Sequence, residues 1–154
     1  MSFLEHQHIE FENVLSYRTR TDSEKLGALL EFIKKNADAL GLAVMGNIVF
    51  TIQEIYELKN KRILGLEVLA PVDKAFESGE RYVYKPKFRL VNAVSVRCGS
   101  NFSDLVKAKN DMNLYINEKH LKAISDVYYI AEFNDDCVPA ESYDAVISID
   151  DNIL

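Results

Sequence analysis

The succession of hydrophobic patterns occurs twice along the chain, and this limits the possible folds more than any single motif. Residues 93–99 alternate as a strand does, 101–121 carry an apolar helical stripe, 125–133 alternate again, and 143–150 supply a further strand pattern. The same order occurs once before, between Asn13 and Pro71. Alternation sends successive side chains to opposite faces of a strand, whereas a spacing of three and four lines one face of a helix. Two copies of a β-α-β-β unit predict an α+β fold with pseudo-twofold symmetry. Its antiparallel sheets would carry the helices on one face and leave a central groove between the copies. The first copy spans about 10–72, a linker about 73–88 and the second copy about 89–151, within a single domain of 1–154.

Local signals support this order. Thr21-Asp22-Ser23-Glu24 is a helix start, with a capping side chain and acidic residues in the first turn, where they suit the helix dipole. Leu26, Leu29, Leu30, Ile33, Ala37 and Leu40 then form one stripe, and Gly41 stands where a helix ends in the left-handed conformation. In the second copy Asn101 to Asp104 turn the chain and cap the next helix, whose stripe is Leu105, Ala108, Met112, Tyr115 and Ile116. Laid over each other, residues 13–18 and 92–97 share Asn, Ser and Arg, and Leu26 falls on Leu105. Dropping one residue then brings 47–52 over 125–130 and Glu54 over Glu132.

Composition excludes several function classes. The net charge of −6 argues against a phosphate-binding surface, so no direct nucleic-acid binding is expected. No apolar run approaches the roughly 20 residues of a membrane helix, and residues 1–12 lack the order of a signal peptide, so the chain reads as cytoplasmic with no membrane partner. Cys98 and Cys137 sit in no metal or redox motif; Cys98 reads as packing and Cys137 as loop. His6 and His8 fall in a terminus expected to be mobile, and His120 lies near a helix C-terminus. No nucleophile triad, phosphate-cradling loop or metal-ligand spacing is present, so no catalytic residue, metal or cofactor is assigned. Asp135, Asp136 and Glu141 read as a solvated acidic loop.

The strand at 126–133 carries the chemistry. Val127, Tyr129, Ala131 and Phe133 form an apolar set expected to pack on the helices. The opposite set, Asp126, Tyr128, Ile130 and Glu132, mixes acids with an aromatic ring, as a binding groove does. Under the alignment above, Ile48, Phe50, Ile52 and Glu54 are its counterparts in the first copy. Together they predict a cleft walled by Phe50 and Tyr128, with acids near its ends, suited to a cationic or amphipathic organic ligand. The alternative is that Asp126 and Glu132 are solvated strand ends and Tyr128 ordinary packing. Tyr82, Tyr84 and Phe88 form a further aromatic group, read as packing of the linker.

The second copy resembles the GyrI-like effector-binding family, the small-molecule-binding module also found behind DNA-binding domains in multidrug-responsive transcription activators. The residues that carry the resemblance are Arg97-Cys98-Gly99, then Phe102, Leu105, Ala108 and Tyr115, then Asp126-Val127-Tyr128, and finally Ala145, Ile147 and Ile149. Arg97 stands where the family has a histidine, and Asp126 where it has the pocket glutamate. The resemblance implies a stand-alone, non-catalytic module, a monomer or homodimer, that binds a small organic ligand between the copies. The competing expectation is a protein-protein interaction module that keeps the fold with a degenerate pocket. Hydrolysis of small electrophiles by Asp126 with Tyr128 rests on family analogy alone.

Overall fold

The computed structural model describes residues 2–133 and 139–150. Cys137 and the acid pair Asp135-Asp136 lie outside the described residues, as does the side chain of Glu141. Six strands and two helices follow in the order β1 (Phe3–Asp22), α1 (Leu26–Ala39), β2 (Ile48–Leu58), β3 (Lys61–Pro71), β4 (Tyr82–Gly99), α2 (Phe102–Glu118), β5 (Tyr128–Phe133) and β6 (Pro139–Ser148). A single 3-10 turn, Ser23–Lys25, leads into α1.

All pairings are antiparallel, and the sheet closes into a barrel in the order β1-β3-β2-β5-β6-β4. This differs from the expected separate sheets, because β1 and β4 are longer than their alternating cores predict. β1 begins at Phe3, so His6 and His8 belong to a strand rather than a loose terminus. β4 begins at Tyr82, so residues 82–88 of the presumed linker are strand. Pro86 is tolerated within β4 between Lys85 and Lys87, which pair with Val14 and Glu12 of β1.

The helices form where their stripes meet the barrel. Leu26, Leu30, Ile33 and Ala37 of α1 are buried, as are Leu105, Ala108, Met112 and Ile116 of α2. Leu40, at the predicted end of the first stripe, remains 40% exposed. Asp22 accepts a hydrogen bond from the Glu24 amide, and Asn101 accepts one from the Asp104 amide at 3.0 Å. These caps satisfy amides that the first turn leaves without partners. Gly41 takes the left-handed conformation after α1 at φ 78°, and His120 takes it after α2 at φ 56°.

Two layers of core result. A helix is about 10–12 Å across and cannot enter a six-stranded barrel, so α1 and α2 cover its outer surface. The outer layer packs both helices against Phe50, Leu66, Val68, Val96, Tyr129 and Tyr143, among others. The inner layer is smaller: Val14, Val49 and Leu69 with Leu90, Ala93 and Val146, closed by Phe11, Phe88, Tyr128 and Ile130.

Several local features recur in the two halves. Asn13 and Asn92 both interrupt a long strand at positive φ, 57° and 49°, and their carbonyls accept the amides of Val72 and Ile149. Asn tolerates this region better than most residues. Isolated bridges join Val44 to Val72 and Ala123 to Ile149. Register shifts fall between Ile52 and Glu54 in β2 and between Ala131 and Phe133 in β5.

Candidate functional site

The structure does not bring the seven predicted site residues into one cleft. Ile48 and Phe50 are fully buried in the layer beneath the helices. Phe50 pairs with Tyr129, not Tyr128; their rings stack at 5.2 Å, and Tyr143 meets Phe50 edge-on at 6.0 Å. Tyr128 and Ile130 point the other way, into the barrel, where Tyr128 meets Phe88 at 5.0 Å. Thus Tyr82 lies in the outer layer's margin while Phe88 belongs to the barrel interior. Glu132 faces Arg97, with hydrogen bonds at 2.9 and 3.4 Å, and Arg97 also reaches Asp144 at 3.3 Å. These acids and the guanidinium hold one another. Arg97 is raised above its ordinary range chiefly by its hydrogen bond to Glu132, and then by the charges of Asp144 and Glu132.

The cause of the discrepancy is a shift of one residue. Asn13 and Asn92, Leu26 and Leu105, Gly41 and His120, and Phe50 and Tyr129 all stand at one constant spacing. On that spacing no residue need be dropped, and Phe50 falls on Tyr129, its partner in the ladder. Because strand side chains alternate, an error of one position exchanges the two faces of the whole strand.

Glu54, Asp126 and Ile52 do meet in a cleft, at the seam where β2 runs beside β5. The two strands pair only over Ile48–Ala131, Val49–Ile130 and Phe50–Tyr129. Beyond Phe50, β2 stays paired to β3 as far as Leu58, while its other edge leaves β5. The gap is roofed by α2 and holds about 580 Å3. Its apolar lining comes from Ile52, Val106, Val127, Tyr129 and Ile147. Thr51 ties the base of the gap together, donating its hydroxyl proton to the Val127 carbonyl at 2.9 Å. Tyr129 is fixed by donation to the Leu105 carbonyl at 3.1 Å.

The two carboxylates of the cleft differ. Glu54 is held by Arg20 at 3.3 Å, and its chain lies across Gly65, where a Cβ would meet Glu54 Cγ at 2.6 Å. Asp126 is exposed and has no ion-pair partner among the described residues. Lys109 of α2 lines the same space, also without an ion pair. The arrangement can neutralise a cation and cover an apolar body.

Sequence reasoning missed a buried acid, Glu67 on β3. Its side chain is 8% exposed, and Oε2 accepts from the Ser16 hydroxyl at 2.9 Å and from Lys85 Nζ at 3.0 Å. Burial alone would raise its pKa, but hydrogen bonds from Lys85 and then Ser16, with the charges of Lys85 and Arg18, bring it below the ordinary value. Its signal in the sequence was a single acid in the otherwise apolar run Leu64-Gly65-Leu66-Glu67-Val68-Leu69. Tyr128 is raised first by burial and then by the charges of Glu67 and Asp126, which discourages a phenolate there. Cys98 is half-buried, and burial pushes its thiol up to about 11, against a reactive role. Among the described residues no group of three or more His, Cys, Asp or Glu side chains could hold a metal ion, and no helix is long and apolar enough to cross a membrane.

No protein-family profile matches the chain, and no curated protein matches it in sequence. Solved structures do match in fold. The crystal structure of the EcmrR C-terminal domain superposes with a TM-score of 0.61 at 12% identity, covering 97% of this chain and 99% of that one. EcmrR in its complex with DNA gives a TM-score of 0.66 at 12% identity over 96% of this chain, which spans 57% of that longer protein. SAV2435 bound to tetraphenylphosphonium gives 0.52 at 9% identity, covering 96% and 95% of the two chains. At these identities the likeness establishes the architecture: this chain shares the α+β fold of the EcmrR C-terminal domain.

Proposed function

We propose that the chain is a non-catalytic small-molecule-binding module of the GyrI-like effector-binding type, and that it takes an organic cation in the cleft at the β2–β5 seam. The observation that carries this reading is an open space of about 580 Å3 whose apolar lining ends at Asp126, a carboxylate with no ion-pair partner among the described residues. Asp126 is the charge anchor in this reading, and Glu54, already engaged by Arg20, the secondary acid. Phe50 backs the lining residue Tyr129 through its ring stack, and Ile48 lies in the same buried layer. The bound tetraphenylphosphonium of SAV2435 is consistent with such a ligand class within this fold. An open cleft favours a small ligand over the alternative of a protein partner docked on a filled groove.

The recurrence of the positive-φ Asn residues, the isolated bridges and the register shifts supports a duplicated β-α-β-β unit, with copies at about 10–72 and 89–151. Among relatives, internal identity between aligned halves above that of shuffled halves is expected; identity at the shuffled level would count against duplication.

Calorimetric titration with tetraphenylphosphonium and alkylammonium amphiphiles tests the binding reading. Binding is expected, weakened by Asp126→Asn and less by Glu54→Gln, with Glu132→Gln unchanged. Absence of binding by every cation, or binding indifferent to Asp126, would overturn it.

A further inference from the structure

The walls of the seam cleft carry more hydrogen-bonding capacity than a lipophilic cation can use. Five consecutive residues of β2, Thr51 to Ile55, line it. Alternate side chains of a strand face opposite ways, and the register shift between Ile52 and Glu54 displaces that alternation by only one residue, so a cavity lined by five consecutive residues is bounded by the strand's backbone edge. No strand pairs with that edge beyond Phe50 among the described residues, although β3 occupies the other edge as far as Leu58. An open edge of this kind is a template for an extended main chain. Opposite it, α2 presents Val106, Lys109, Asn110 and Asn113, one stripe at helical spacing. The carboxamides of Asn110 and Asn113, and that of Gln53 on β2, make no hydrogen bond within the described protein. Each can donate and accept, as a ligand amide requires. Of the aromatic side chains predicted for a cleft, Phe50 is buried against Tyr129 and Tyr128 faces the barrel interior, which leaves Tyr129 as the single ring in the lining among the described residues.

Resting on the binding reading above, we infer that the cleft selects an extended, amide-bearing monoamine: a short peptide or peptide-like compound with one free amino group. Its ammonium sits on Asp126, and its backbone amides pair with the β2 edge between residues 51 and 55. The carboxamides of α2 take the groups that face away from the strand. A single positive charge follows because Glu54 is paired with Arg20, Asp126 is the cleft's acid without an ion pair among the described residues, and a second ammonium would meet Lys109 on the opposite wall.

The intact chain is titrated with trialanine amide bearing a free amino terminus, with its N-acetylated form, with its backbone N-methylated form, and with tetraphenylphosphonium. The free-amine peptide amide is expected to bind at least about tenfold more tightly than the acetylated or N-methylated forms, the scale of one charge-assisted hydrogen bond. Asp126→Asn should remove the preference for the free amine, Asn113→Ala should weaken binding several-fold, and amide exchange at 51–55 should slow only with the unmethylated peptide. Asp126-dependent binding of tetraphenylphosphonium without binding of the peptide amide would overturn this inference and leave the cleft reading standing. Failure of every probe would overturn both.

Discussion

The two seams that close the barrel differ in how completely they are sealed. At one, β1 and β4 pair from Phe3 opposite Val96 to Tyr17 opposite Tyr82, interrupted by register shifts between Leu4 and Ile9. At the other, β2 and β5 hold together over three residue pairs and then part. Closure of a barrel removes exposed strand edges, but it does not require both closing seams to run full length. The long seam makes the barrel, and the short one leaves a strand edge and a cleft. In this molecule the opportunity for binding arises from incomplete pairing rather than from an added loop.

Four substitutions separate the seams. The largest effect is expected at Phe50, whose buried ring supports the short seam against Tyr129 and Tyr143. Phe50→Ala should cost about 3–5 kcal/mol in chemical denaturation. A loss under about 1 kcal/mol would mean that the short seam contributes little to holding the barrel together.

Next comes Glu67, on the β3 face between the two seams. Glu67→Ala leaves Ser16 and Lys85 without their acceptor and should cost about 1–3 kcal/mol. The folded-state pKa lies below the unfolded one, so the folded protein retains the ionised acid to lower pH. The contribution is therefore present above the ordinary value of 4.5 and lost as pH falls through the folded pKa. Stability against pH should show this acid-side decline in the parent chain and a smaller one in Glu67→Ala. Equal slopes would remove the assignment.

Thr51→Val tests the short seam alone. Losing the hydroxyl bond to Val127 should cost about 1 kcal/mol and speed amide exchange at Ile48 to Phe50 while leaving β1–β4 amides unchanged. Uniform acceleration across the molecule would mean that the two seams open together. The smallest effect is expected for Glu132→Gln, which weakens a partly exposed ion pair with Arg97 and should change stability by less than about 1 kcal/mol. A substantial fall in cation binding in that variant would place the binding site away from the short seam.

Much of the architecture was legible in the sequence because it follows from local rules. The stripe from Leu26 to Ala37 meets the barrel as its spacing predicts, and the caps at Asp22 and Asn101 act where their chemistry suggests. Asn-x-x-Ser-x-Arg, at 13–18 and again at 92–97, lies in strands β1 and β4 as its alternation predicts. Closure of the sheet was not legible, because pairing of β1 with β4 depends on residues such as Phe3 and Tyr82 that lie outside the alternating cores. The site was half legible. Asp126 and Glu54 line a common cleft, but Phe50 and Tyr128 lie on opposite faces of the sheet. Few identities mark the second strand of each half, so pattern matching could slip by one position. The role of Glu67 was not legible because its partners, Ser16 and Lys85, come from two other strands.

The absence of a side chain at Gly65 gives this surface an unusual capacity for change. The Glu54 chain rests in the space a methyl would fill, with its carboxylate turned to Arg20. An alanine there would force that flexible, half-exposed chain to shift, and its charge would move relative to Arg20 and the cleft. The electrostatics of this surface can thus be altered at a position on β3 that carries no charge of its own, without replacing any acid or base.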